Sequence, residues 1–132
     1  MARILLAEDD DNMRVFLARA LERAGHQVVA VGDGNEALAL AIGGDFELLL
    51  ADVVMPGLDG IELARRASVV LPELRIMFIT GFAAVALNQP GFARRQPKVL
   101  AKPFHLRQLV LEVDKILGTA TASDPGGAGI ES

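Results

Sequence analysis

LLLADVVMPGLDGIELARRASVVLP, residues 48–72, decides how the rest of the chain is read. It opens on Leu48-Leu49-Leu50-Ala51, a short and unbroken apolar run of the kind expected of a strand buried on both faces. The run stops at a carboxylate, Asp52. Further on, Leu63, Ala64, Ala67, Val70 and Leu71 fall on one face of a helix, and Pro72 lies just past its end. A strand, an acidic residue at its carboxyl end and an amphipathic helix thus follow one another directly.

The same unit recurs in both directions. Ile4–Ala7 and Val28–Val31 precede it, and Ile76–Ile79 and Val99–Ala101 follow it, each a short apolar run. Met13, Phe16, Leu17, Ala20, Leu21 and Ala24 recur at i, i+3, i+4, i+7, i+8 and i+11, one helical face that Asp10 or Asp11 can cap and Gly25 can end. A second helix spans about Asn35 to Ile42 and stops at Gly43-Gly44. The last carries Leu106, Leu109, Val110, Val113 and Leu117, with Gly118 as its C′ residue. After the fourth run, Phe82 to Asn88 reads as a short helix that Pro90-Gly91 cuts off, followed by an irregular stretch through Gln96-Pro97. The alternation is (βα)₅, which implies an α/β fold with a parallel sheet and helices on both faces.

Composition narrows the class. Hydrophobic residues make up 52% and charged residues 23%, so a packed globular domain is expected, not a disordered chain. One domain over residues 1–118 accounts for the pattern. The remaining 119–132, rich in Gly, Ala, Ser and Thr, reads as a disordered tail too short for an output domain. There is no cysteine, hence no disulfide framework and no thiolate zinc site, which suits a cytoplasmic location. The longest neutral stretch, Ile76 to Leu87, is shorter than the ~20 residues a membrane span needs, and the amino terminus lacks a secretory signal. With a net charge of −4 and scattered Lys and Arg, no nucleic-acid footprint is visible.

Ligands of open α/β sheets bind beyond the carboxyl ends of the strands. The polar residues there are Glu8-Asp9-Asp10-Asp11, Asp52, Thr80 and Lys102-Pro103. Crowded carboxylates repel one another, and a divalent cation offsets that cost. Mg²⁺ suits a few carboxylates together with retained water and phosphate oxygens. A carboxylate can itself be the nucleophile and form an aspartyl phosphate. Lys102 would then meet the phosphoryl oxygens as a point charge and Thr80 as a hydrogen-bond donor. Singly, each residue has an ordinary structural reading. At successive strand ends of one sheet they form one constellation. His26 and His105 lack ligand partners at metal spacing and read as structural, His26 at a strand start and His105 at a helix start.

LLAEDDDNMR at 5–14, LLLADVVMPGLDGIEL at 48–63, IMFITGFA at 76–83 and LAKPF at 100–104 resemble the receiver domain of bacterial two-component response regulators, over about residues 2 to 118. The resemblance implies a flavodoxin-like, doubly wound (βα)₅ sheet of strand order 2-1-3-4-5. It implies that Asp52 is the phosphoacceptor and that Mg²⁺ is held by Asp9, Asp52, the carbonyl of Val54 and, through water, Glu8. Thr80, Gly81 and Lys102 would bind the phosphoryl group and switch with it, and Lys102-Pro103 would be the family's cis peptide. Apolar Val54 and Phe82, two residues past Asp52 and Thr80, would give little support to an attacking water, so autodephosphorylation is expected to be slow.

Three positions depart from the family pattern: Glu8 where Asp is commoner, Val99 where many members carry a rotating Tyr or Phe, and Pro90-Gly91 in the fourth helix. GIELARRAS, IMFITGFAAVALN and KPFHL are similar to a single-domain subgroup of protease adaptors. That similarity implies a protein whose unphosphorylated form engages the ClpXP protease, and which a histidine kinase or histidine phosphotransferase switches off; separately, a monomer is expected, since no output domain that would dimerise is visible. The partner face would comprise the fourth helix, fifth strand and last helix, with Phe92, Arg94, Arg95, Val99 and His105. A phosphorelay intermediate passing its phosphoryl group to a histidine phosphotransferase has the same site chemistry. A Mg²⁺-dependent phosphohydrolase is disfavoured, because such enzymes carry a second Asp two residues after the nucleophile, where this chain has Val54.

Overall fold

The computed structural model describes residues 2–81 and 97–118. The readings on 82–96 (the short fourth helix, Phe82, Pro90-Gly91, Phe92, Arg94 and Arg95) and on the 119–132 tail lie outside the described residues. The elements are β1 (Arg3–Ala7), α1 (Asp11–Arg23), β2 (Gln27–Val31), α2 (Gly34–Gly43), β3 (Leu48–Asp52), α3 (Gly60–Val70), β4 (Arg75–Thr80), β5 (Lys98–Ala101) and α4 (Leu106–Leu117). Each apolar run of the sequence is a strand.

The five strands form one parallel sheet of order β2-β1-β3-β4-β5. Successive side chains of a strand point to opposite faces, and the unbroken runs therefore feed two cores. Leu5, Ala7, Leu49, Ala51 and Phe78 pack with Ala37 and Ala41 of α2 and Leu63, Ala64 and Ala67 of α3. Ile4, Leu6, Leu48, Leu50, Met77 and Ile79 pack on the other face with Leu17 and Leu21 of α1 and Leu109 and Val113 of α4. Every residue of β3 is buried. The edge strands β2 and β5 correct the expectation that all five runs are covered on both faces: Ala30 and Ala101 are exposed and Val28, Val29 and Val99 half-buried, because an edge strand has only one neighbour. Among the described residues no helix is long and apolar enough to cross a membrane.

Helix ends follow local chemistry. Asp10, not Asp11, caps α1, its Oδ1 accepting from the Met13 N–H at 2.9 Å. Asp33 and Asp59 cap α2 and α3 in the same way, a role not read from the sequence. Gly118, at φ 75°, ends α4. Three residues assigned to apolar faces turn outward, Phe16 (57% exposed), Val70 (53%) and Ala24. His26 is buried just before β2. Its Nδ1 accepts from the Ala2 N–H, and its Nε2 lies 3.1 Å from Asp114 Oδ1, which ties the start of β1 to α4.

Candidate functional site

The parallel register brings the polar residues to one edge. Ala7 pairs with Ala51, which puts Glu8 level with Asp52 on the neighbouring strand. Asp52 pairs with Ile79, and Thr80 with Ala101. Thr80 thus lies one step beyond Asp52, and Lys102 two. The Lys102 N–H donates to the Thr80 carbonyl at 2.9 Å, and the Lys102–Pro103 peptide is cis.

Lys102 Nζ joins the two acidic strands, donating to Asp52 Oδ2 at 2.9 Å and to Glu8 Oε1 at 3.1 Å. The second oxygen of each carboxylate takes a backbone amide: Asp52 Oδ1 accepts from the Val54 N–H at 3.3 Å and Glu8 Oε2 from the Asp10 N–H at 3.1 Å. One carboxylate oxygen each of Glu8, Asp9 and Asp52 lies within 4.8 Å of the others. These are hard oxygen donors, and the set fits an oxygen-preferring divalent cation. Glu8 is 1% exposed and Asp52 8%, whereas Asp9 faces solvent. Thr80 is fully buried and Gly81 exposed. Val54 is 55% exposed and meets Asp52 through its backbone N–H. Of the proposed partner face, Val99 is half-buried against the core and His105 sits exposed at the start of α4.

Burial pushes the Glu8 carboxyl above the ordinary carboxylate range. The Asp10 amide and Lys102 pull against that rise, and the Asp52 charge adds to it. Lys102 is lowered by its partial burial but raised more by its hydrogen bonds to Asp52 and Glu8, and ends above the usual lysine value. A carboxyl raised in the folded state stabilises when protonated, and that stability is lost as pH rises through its folded value. Ionised Glu8 is therefore a cost to the cation-free protein at neutral pH. Glu8→Gln is expected to raise the melting temperature in EDTA at pH 7. The gain should shrink toward pH 4, where wild-type Glu8 carries its own proton. Thermal melts across that range check it, and a lower melting temperature for Glu8→Gln at pH 7 would contradict it.

Two contributors escaped the sequence reading. Arg14 Nη1 donates to the Glu8 carbonyl at 2.9 Å. Gly60, the first residue of α3, donates its N–H to the Val53 carbonyl at 2.9 Å, and a Cβ there would stand 1.9 Å from the Asp52 carbonyl oxygen. Arg14 gave no signal beyond its place on a helix, and Gly60 followed an Asp whose capping role was itself unread.

The response regulator receiver domain model matches residues 4–114. The chain is 59% identical over 117 residues to the response regulator receiver protein CpdR of Brucella abortus (strain 2308), covering 89% of this chain and 98% of that protein. Among solved structures, the receiver domain of the hybrid histidine kinase CckA aligns at TM-score 0.74 and 35% identity, covering 87% of this chain and 98% of that one. The response regulator TrrA of Thermotoga maritima, solved in complex with Mg²⁺ and BeF, aligns at TM-score 0.79 and 27% identity over 88% of this chain and 99% of that one.

Proposed function

The chain belongs to the response regulator receiver domain family, and from that premise we propose that it is a phosphorylation-controlled switch in which Asp52 accepts the phosphoryl group. The observation that carries the reading is the buried Asp52 carboxylate, held by Lys102 at 2.9 Å beside the Glu8 and Asp9 carboxylates. An Asp52 oxygen attacks phosphorus, an O–P bond forms as the donor's P–N bond breaks, and the donor imidazole leaves. Glu8, Asp9 and Asp52 are the residues to hold Mg²⁺, with the Val54 carbonyl as a further ligand. When bound, Mg²⁺ supplies positive charge against the oxygens of the group in transfer. Lys102 supplies a fixed charge from just past the end of β5, and Thr80 a hydroxyl at the end of β4. Modification replaces one negative charge with about −1.5 to −2, at the point where Lys102 now bridges two strands.

The donor in this reading is a histidine kinase or histidine phosphotransferase. The 59% identity with CpdR along nearly its full length supports the finer assignment of a protease adaptor whose unphosphorylated form engages ClpXP. Purified chain is expected to bind the protease in EDTA, and acetyl phosphate with Mg²⁺ should weaken binding roughly 10-fold or more, within the usual range of coupling between two sites. Equal binding in the two conditions overturns the adaptor reading. Phosphoryl incorporation, measured in the same samples, tests the switch separately.

A further inference from the structure

Among the described residues no hydrogen bond or ion pair fixes the carboxylate of Asp9, which stands exposed between Glu8 and Asp10. Its direction is set by the backbone of the turn from Glu8 to Asp11, which the Glu8 N–H ties to the Val31 carbonyl and the Asp10 cap ties to α1, and two further side-chain contacts hold it. On the inside, Glu8 Oε2 accepts from the Asp10 N–H. On the outside, Arg14 Nη1 donates to the Glu8 carbonyl at 2.9 Å while Nη2 meets Asp11 Oδ1. The Asp11 side chain is 86% exposed and the Arg14 side chain 23%. An ion pair with so open a partner contributes little; the part-buried bond to the Glu8 carbonyl is the more sheltered of the two. We propose that Arg14 is a positioning residue of the cation site, clamping the Glu8–Asp11 turn so that Glu8 and Asp9 present their carboxylates together with Asp52. The inference rests on the Mg²⁺-binding reading above.

Gly32 supplies the second observation. A Cβ at this residue, just past β2, would stand 2.8 Å from Arg14 Nη1 and 3.6 Å from the Glu8 carbonyl oxygen. The first atom is the far end of a flexible side chain, so Gly32→Ala displaces the guanidinium at little cost to the fold. Gly32 thus keeps the seat of Arg14 open. Charge alone makes the opposite prediction for Arg14 itself: a guanidinium near the carboxylates repels a cation, and its removal would tighten binding.

The test is Mg²⁺ titration by calorimetry of the full chain, with melts in EDTA to show that each variant is folded. Arg14→Met is expected to weaken Mg²⁺ binding roughly 10-fold, the lower end of what loss of an outer-sphere partner costs. Gly32→Ala should do the same with its positive charge intact and its melting temperature near wild type. The double variant should match Arg14→Met, since both changes remove one contact. Arg14→Lys, which keeps a donor, should recover part of the affinity. Wild-type or tighter affinity in Arg14→Met, wild-type affinity in Gly32→Ala, or effects of the two that add would overturn the inference. Wild-type chain that binds no Mg²⁺ would overturn the Mg²⁺-binding reading, and this inference with it; unchanged variants beside a binding wild type overturn this inference alone.

Discussion

Asp52→Ala is expected to take up no phosphoryl group from acetyl phosphate and Mg²⁺, and to bind the protease equally with and without them. Of the two carboxylates that meet the Lys102 ammonium, Asp52, at 2.9 Å, is the one whose side chain still reaches solvent, at 11% exposure. Glu8 also meets Lys102, but it is 1% exposed and out of reach of a phosphoryl donor in solution. Asp9 is exposed and touches no described cation. The substitution should not unfold the protein. Lys102 keeps Glu8 as a partner, and removing the Asp52 charge relieves one of the causes that raise the Glu8 carboxyl. The melting temperature in EDTA should therefore stay at or above the wild-type value. Mass spectrometry of the intact chain reads phosphoryl uptake directly. Uptake by Asp52→Ala, for example at Asp9, would reject Asp52 as the acceptor.

Gly60→Ala should be the most damaging single-methyl addition in the described chain after any at Gly34. The new Cβ would stand 1.9 Å from the Asp52 carbonyl oxygen and 3.0 Å from the Val53 Cα. Both are backbone atoms on a buried strand end and cannot rotate aside. The start of α3 must instead move off the end of β3, breaking the 2.9 Å bond from the Gly60 N–H to the Val53 carbonyl. The cost is about 3 kcal/mol, a fall in melting temperature on the order of 10 °C for a domain this size. The displaced strand end carries Asp52, so phosphoryl uptake should slow as well, even where the protein remains folded. Gly43, the last residue of α2, is the control: nothing lies within 4 Å of a Cβ there. Gly43→Ala should be neutral or stabilising by about 0.5 kcal/mol. Equal melting temperatures for the two variants would show that the close approach at Gly60 is not what fixes this glycine.

Much of the fold was legible because each strand alternates between two buried faces. Ile4 and Leu6 feed one core and Leu5 and Ala7 the other, so the run is apolar without a break. Such runs mark strand positions well and say nothing of cover. That is why the exposure of β2 and β5 was not foreseen even though the resemblance implied the order 2-1-3-4-5: an edge run reads as apolar as a central one, and only packing shows which of its residues go uncovered. Phe16 and Val70 failed for a related reason. Helical periodicity defines a face, but only the packed neighbour fixes how wide a part of it is covered.

By itself the sequence determined the α/β alternation, the glycines at which α1 and α4 stop, and the row of Glu8, Asp9, Asp52, Thr80 and Lys102 at successive strand ends, because each of these depends on neighbours a few residues away. Asp52 was the residue on which the reading turned. The tertiary structure decided what surrounds it. It buried Glu8 and left Asp9 in water, laid Lys102 across two strands, set Arg14 behind the turn where Gly32 leaves it room, and brought Gly60 against the Asp52 carbonyl. Lys102 meets Glu8 and Asp52 from 94 and 50 residues away because the register of the parallel sheet brings their strand ends level, while Arg14 and Gly60 reach the same edge through the packing of α1 and α3 on the sheet.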